Sequence, residues 1–565
     1  MEPAEIVPHA LLVPPDAHSR GFHHNDAALV LDGWLRRLAS QETRCRAVLG
    51  RLASAFLKRR GQHELGFSRL DDYARERLGL SGRELQSLAT VVRRLDRLPA
   101  LRAAFEAGLL SWAQVRLLAG VATAETEGDW LALARGRTVR ALEALVHEAG
   151  RTPDAGEDDE PRARFRLRCP RRLLALWRDV VELARRMAGA ELRQGQAAEA
   201  IAAEGLSAQP SSGEAWPEPF LSSAAPTADP AETRLAFGED LEWGAVAEAI
   251  PDEVARIDRG ADHLDPFALD GRMRRVVEAM QRVDWQTGRL LRVFLDRRLH
   301  RVMRFPSAAR YLRERLGISA RKARALVALE RKTGEAPILG KAYRTGELSW
   351  VRALAVLPVA HERTAAAWVA RGREVTVRRL MDEVEWALVA RDGFSPIAPP
   401  PLGATLRDLP ERQMCAREGS EYSGAEIVFW APVSVVALFR TAVLAFAGPG
   451  DALFTGLERL LRHVQAEWEA QPRHRDPIFA RDGWRCAVPA CSSRRNLHDH
   501  HLLFRSRGGD NRRANRITVC AWHHLRGIHG GRVRAWGTAP DGVIWELGVQ
   551  SGRPPLVRLR GDAYV

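Results

Sequence analysis

Cysteine is scarce, with 6 residues in 565. That is too few for a disulfide-stapled secreted scaffold, and the opening MEPAEIVPHALLVPPDAHSRGFHH has no basic stretch followed by an apolar run of the kind that directs secretion. A cytoplasmic protein with reduced thiols is expected. Long apolar runs are also lacking. The most membrane-like stretch, 428–447, is broken by Pro432 and Arg440, and an arginine at a bilayer centre is costly, so it reads as buried core with no membrane contact. An excess of acid is missing too. The net charge of +14 and pI near 10.3 favour an anionic partner such as nucleic acid.

The chain is too long for one core, and its 46% apolar content lets most of it fold, so several domains are expected. Two of them are copies. At a shift of 238 residues YARERLGLS (73–81) aligns with YLRERLGIS (311–319), and LGRLASAFLKRR (49–60) with TGRLLRVFLDRR (287–298). Pro99, Gly108 and Trp112 recur as Pro337, Gly346 and Trp350. At a larger shift RFRLRCPRRLLALWR (164–178) resembles EIVFWAPVSVVALFR (426–440). Leu85, Leu88, Val91, Val92 and Leu95 fall at helical spacing, so each unit reads as a helical bundle plus a strand and helix. Tyr73, Tyr311, Trp112 and Trp350 read as core aromatics.

The expected organisation is an N-terminal tail (1–25), a first helical domain (26–205), a flexible linker rich in Pro, Ser, Ala and acid (206–269), a second helical domain (270–470) with a loop at 391–422, a small metal-bearing domain (471–531) and a β-hairpin extension (532–565) built on RVRAWGTAPDGVIWELG. The repeats can serve as a protein-partner or homodimer surface.

Three cysteines, Cys45, Cys169 and Cys415, are scattered and read as inert core. The other three sit beside histidines. Cys486-x4-Cys491 and Cys520-x2-His523 are two short chelating pairs, the pattern of a structural Zn(II) site that staples a small domain. His523 and His524 are adjacent and diverge on a helix, so His524 serves a second site. His500 and His501 lie on an alternating run that reads as a strand, where one can bind metal while the other handles a proton. A basic Gly-Gly loop, a second strand ending at Cys520 and a helix from Ala521 to Gly530-Gly531 complete a ββα unit. Between 471 and 534 there are 14 Arg, 4 Asp and no Lys or Glu, a net +10 (14 − 4).

The segment 481–531 resembles the HNH endonucleases, the ββα-metal nucleases, in RDGWRCAVPAC, HHLLFRSRGGD, NRITVC and AWHHLRGIHGG. The upstream repeats resemble the helical region fused to many bacterial HNH proteins. The resemblance implies a mainly α protein: two helical repeat domains, then a zinc-stapled ββα domain and a hairpin. It implies His501 as general base and Asn515 as the residue that orients the base and its loop. It implies His500 and His524 as ligands of a catalytic divalent metal, Mg(II) or Mn(II). Arg505 and Arg507 are placed to hold the DNA backbone. Phe504 stands where many members have proline, and His529 lies five residues after His524 where a third ligand is usual at four. On an ideal α-helix that places His529 well round from His524 and ranks it below the other ligands. The implied function is metal-dependent hydrolysis of DNA phosphodiesters. The alternative is a zinc-containing DNA-binding protein that does not cleave.

Overall fold

The computed structural model describes residues 24–148, 162–190, 192–207, 254, 256–390, 397–402, 425–471 and 476–565. Among them the chain is mainly helical, with small antiparallel sheets, most of them near the C-terminus. No helix among the described residues is long and apolar enough to cross a membrane.

The first copy contains α1 (His24–Lys58), α2 (Gly82–Leu95), β1 (Arg162–Cys169), α3 (Arg171–Ala188) and α4 (Gln194–Ser207). The second repeats the order with α5 (Pro266–Asp296), α6 (Ala320–Glu335), β2 (Ala425–Pro432), α7 (Val433–Ala445) and α8 (Leu453–Glu469). Each strand is thus followed by two helices, one more than the sequence pattern suggests. On α2 the apolar stripe from Leu85 to Leu95 is buried, and Ser81 caps the first turn by accepting the Glu84 N–H at 3.1 Å.

The copies are not independent bodies, because each completes the other's core. Leu31, Trp34, Leu35 and Leu38 of α1 pack with Phe294, Tyr311 and Leu326 of the second copy. Reciprocally, Leu269, Met273 and Val276 of α5 pack with Phe56, Tyr73 and Leu88 of the first. The polar contacts are exchanged in the same way. Tyr73 donates to Asp270 at 3.0 Å and Tyr311 to Asp32 at 3.0 Å, with Arg77 at 2.5 Å and Arg315 at 2.8 Å on the same carboxylates. Both tyrosines stack on a phenylalanine, Phe56 at 4.6 Å and Phe294 at 4.4 Å between ring centres. The shift of 238 residues relates Asp32, Phe56, Tyr73 and Arg77 to Asp270, Phe294, Tyr311 and Arg315, so the chain is an internal pseudo-dimer. The strands, matched at the larger shift, also pair across the two copies: β1 is antiparallel to β2, Phe165 stacks on Phe429 at 4.9 Å, and α3, α4, α7 and α8 share the core beneath them.

Residues 476–531 form β3 (Leu497–His501), a basic turn, β4 (Arg516–Cys520) and a final helix, the strand order expected for a ββα unit. After it β5 (Val533–Thr538), β6 (Gly542–Leu547), β7 (Val557–Arg560) and β8 (Ala563–Tyr564) make a four-stranded meander.

Several sequence expectations need correction. The extension is not a lone hairpin, because β7 and β8 cover β6 and bring Tyr564 into hydrogen-bond reach of Arg352 at 3.2 Å. The linker ends before 269: Val254, Ile257 and Ala261 are buried in the first copy's core, and Asp265 caps α5 by accepting the Ala268 N–H at 2.8 Å. Residues 208–253 lie outside the described residues, as do 391–396 and 403–424. The described part of the loop at 391–422 is packed, with the Ile397 carbonyl accepting Trp368 Nε1 at 2.8 Å and the Pro400 carbonyl accepting Arg371 at 2.7 Å. Trp112 and Trp350 are only half-buried, whereas Tyr73 and Tyr311 are fully buried. Each tryptophan opens its helix behind a serine that abuts the opposite copy. Gly317 and Gly79, both at positive φ, leave room for Ser111 and Ser349, whose Cβ atoms would be 2.5 and 2.8 Å from an added Cβ.

Removing a buried carboxylate from this exchange strands a tyrosine hydroxyl and a guanidinium. Asp270→Ala is expected to cost about 3 kcal/mol. Asp32→Ala should cost less, because Arg315 is more exposed than Arg77. Urea unfolding of the two variants measures the difference.

Candidate metal centres

The two chelating pairs converge. Cys486, Cys491, Cys520 and His523 are all buried, with ligand atoms within 4.8 Å of one another, and could hold a metal such as zinc. β4 delivers Cys520 and the first turn of the next helix delivers His523, whose Nδ1 lies 3.4 Å from Cys486 Sγ and 3.3 Å from Cys520 Sγ. The opposite ring nitrogen, Nε2, lies 3.1 Å from the Gly66 carbonyl. A carbonyl can only accept, so Nε2 carries the proton and Nδ1 is free to ligate. Burial opposes ionisation of Cys491, but hydrogen bonds from Cys486 and Cys520 outweigh it and hold that thiol well below its usual range. Burial and its hydrogen bonds with Cys491 and Cys520 push Cys486 well up.

This cluster is clamped by the helical body. Asp72 accepts from the Ser492 hydroxyl at 2.6 Å and the Ser492 N–H at 3.1 Å. Arg378 donates to the carbonyls of Cys486 at 2.9 Å and Cys491 at 2.8 Å, and pairs with Asp562 of the meander at 2.8 Å. Both copies and the extension therefore hold the same knuckle.

A second cluster consists of His500, His524 and His529, whose ligand atoms also lie within 4.8 Å of one another. His529 joins it because the last helix is π-helical over His523–Ile528, with the His529 N–H donating to the His524 carbonyl at 3.1 Å. Closing i→i+5 bonds widens the turn, which brings residues five apart towards the same face. The lower rank given to His529 from ideal α-helix geometry is thus corrected. Phe504 walls the site, its ring 5.5 Å from His500 and 5.2 Å from His529. His500 Nε2 is buried without a hydrogen-bond partner, an orphan that an ion would satisfy. Burial, then the neighbouring imidazoles His524, His529 and His501, lowers the His500 pKa to about 4, and burial followed by His529 and His498 lowers that of His524.

His501, next on the strand, is outside this set. Its Nε2 lies 2.9 Å from Asn511 Oδ1. Asn515 bonds the loop and not the imidazole: it accepts the Leu503 N–H at 2.7 Å and donates to the Leu503 and Asp510 carbonyls at 3.1 and 2.8 Å. Gly509 packs against this staple, since a Cβ there would meet the Leu503 carbonyl oxygen at 1.8 Å. Arg505 and Arg507 are exposed on the loop. Sequence reasoning missed Asn511, and it missed His498, whose Nδ1 sits 2.9 Å from His524 Nδ1. His498 precedes His500 by two residues, so strand alternation, which puts both on one face, could have found it. Of the scattered cysteines, Cys45 and Cys169 are buried, and burial pushes their thiols up to about 12 and about 11. Cys415 lies outside the described residues.

No family model, curated protein or solved structure matches this chain. The site is therefore read from its own geometry.

Cys486→Ser should abolish copurified zinc and lower the main calorimetric transition of the whole chain, because Gly66, Asp72 and Arg378 tie the knuckle to both copies. A zinc-free variant that melts like the parent would refute this. The folded His500 pKa lies below its ordinary 6.5, so the folded state binds fewer protons than the unfolded one and this residue's contribution to stability is lost as pH falls from about 6.5 towards 4. A proton NMR titration of the metal-free cluster should find His500 neutral at pH 5.5, against a midpoint near 6.5 if the site were open to water.

Proposed function

We propose that this protein is a metal-dependent DNA endonuclease of the HNH kind, hydrolysing phosphodiester bonds to 5′-phosphate and 3′-hydroxyl ends. One arrangement carries the reading: three imidazoles are gathered at His500, His524 and His529, and a fourth, His501, stands beside them outside the ligand set. A structural zinc site has no use for such a group.

Asn511 Oδ1 is an acceptor, so His501 holds its proton on Nε2 and offers Nδ1 as the base that takes a proton from the attacking water. Asn515 keeps the Leu503–Asp510 loop closed, and on that loop Arg505 and Arg507 present guanidinium groups to phosphate oxygens. His498 holds His524 in place. A divalent ion bound by His500, His524 and His529 would supply positive charge to the scissile phosphate and the leaving oxygen. Three nitrogen donors suit a transition ion better than Mg(II), which makes Mn(II) the better fit of the two expected ions.

His501→Ala should lower cleavage of supercoiled plasmid by roughly 100- to 10,000-fold while zinc content and DNA affinity stay near those of the parent. Cleavage at the parent's rate by this variant would overturn the mechanism. Plasmid left intact by the parent protein with Mg(II), Mn(II) or Zn(II), yet still bound, would return the protein to a non-cleaving zinc-containing DNA binder.

A further inference from the structure

Strand β1 reads RARFRLRC. Alternation sends Phe165 and Cys169 into the core and leaves Arg162, Arg164, Arg166 and Arg168 exposed on the outer face. Directly opposite on β2 stand Pro432, Trp430, Val428 and Glu426, which share that face. Trp430 is 58% exposed. Glu426 accepts from Arg166 at 2.6 Å and Arg168 at 3.3 Å, and Arg162 donates to the Trp430 carbonyl at 3.0 Å. Arg164, across from Trp430, has no partner among the described residues. Four guanidinium groups against one carboxylate leave the face at +3 (4 − 1).

We propose that this face binds single-stranded DNA, with the Trp430 indole stacking on a base and Arg162 and Arg164 holding the flanking phosphates. The proposal rests on the DNA reading above but not on cleavage. Charge selects a polyanion, and alternate side chains lie roughly 7 Å apart along a strand, a repeat that successive phosphates of an extended chain can follow. The indole selects the form of the polyanion. A solvated basic ribbon has no need of an exposed tryptophan among its arginines, and a duplex keeps its base faces stacked inside, whereas an unpaired base can lie flat on the ring. The sheet also belongs to the body that carries the histidine cluster: Glu182 of α3 pairs with Arg494 at 3.0 Å, and Gly189 at the end of α3 abuts Arg495. A strand held here stays tethered to the domain proposed to cut.

The test is fluorescence anisotropy of full-length protein with labelled oligothymidine of about 12 nucleotides, without added divalent metal so that no strand is cut. Trp430→Ala should weaken binding roughly 5- to 100-fold and leave affinity for a duplex unchanged. The double variant Arg162→Gln, Arg164→Gln should reduce the slope of log affinity against log salt by about 1.4, from two contacts at about 0.7 each. Circular dichroism should be unchanged in both, since all three side chains are exposed. The proposal is overturned if the parent's affinity and slope survive these changes. It is also overturned if Trp430→Ala weakens single strand and duplex equally, or if polyglutamate displaces oligothymidine equally well from parent and Trp430→Ala. Tight, Trp430-dependent binding by a protein that cuts nothing would count against the endonuclease reading alone. Cleavage by a protein whose single-strand binding ignores Trp430 would count against this proposal alone.

Discussion

The pairing of the two helical copies depends on the reciprocal loan of two aspartates. Asp32 satisfies the buried Tyr311 and Asp270 the buried Tyr73, so neither copy can close its core with its own residues. The long helices α1 and α5 are the elements that carry these carboxylates across, and the cores that form around them are shared. The copies fold as one object because an unpaired tyrosine hydroxyl and an unpaired guanidinium would otherwise be left in apolar surroundings.

Charge at the axis makes the pairing specific to unlike copies. Arg46 pairs with Glu84 at 3.0 Å in the first copy, and the equivalent positions of the second carry the reverse signs, Asp284 and Lys322, 2.8 Å apart. Glu42 joins the sets by bonding Arg46 at 2.9 Å and Lys322 at 2.6 Å, and although burial opposes its charge these two cations hold it at about 2. Two first copies from different chains would set Glu42 against Glu84. Like charges there disfavour the pairing of two first copies, so the contact selects unlike copies.

The metal-bearing end is placed where the symmetry fails. Gly66, Ser68 and Asp72 of the first copy contact the cysteine knuckle, and their equivalents in the second are Arg304, Pro306 and Arg310, which lack the Ser68 hydroxyl and the Asp72 carboxylate. One copy became a dock. The other contributes Arg378, whose hydrogen bonds to three knuckle carbonyls and to Asp562 tie the meander into the same joint.

Local chemistry wrote much of this into the chain. The knuckle ligands were legible because metal coordination demands specific atoms at short spacing, and the repeat because equal helices need equal lengths. The apolar stripe of α2 and the strand pair β3 and β4 follow from periodicity alone. His529 was misjudged because sequence gives no sign that a helix will close i→i+5, a choice made where packing and the end of the helix outweigh the ordinary hydrogen-bond pattern. Asn511 was missed because a loop's path decides which amide meets His501. The exchange between the two helical domains was not legible for a related reason: Asp32 and Asp270 look like ordinary polar helix residues, and only the crossing of α1 with α5 turns them into buried partners of distant tyrosines. Sequence by itself determined which groups exist and which neighbours share a face. Tertiary structure decided which groups meet, because contacts 197 and 279 residues apart depend on how whole helices pack and not on any local pattern.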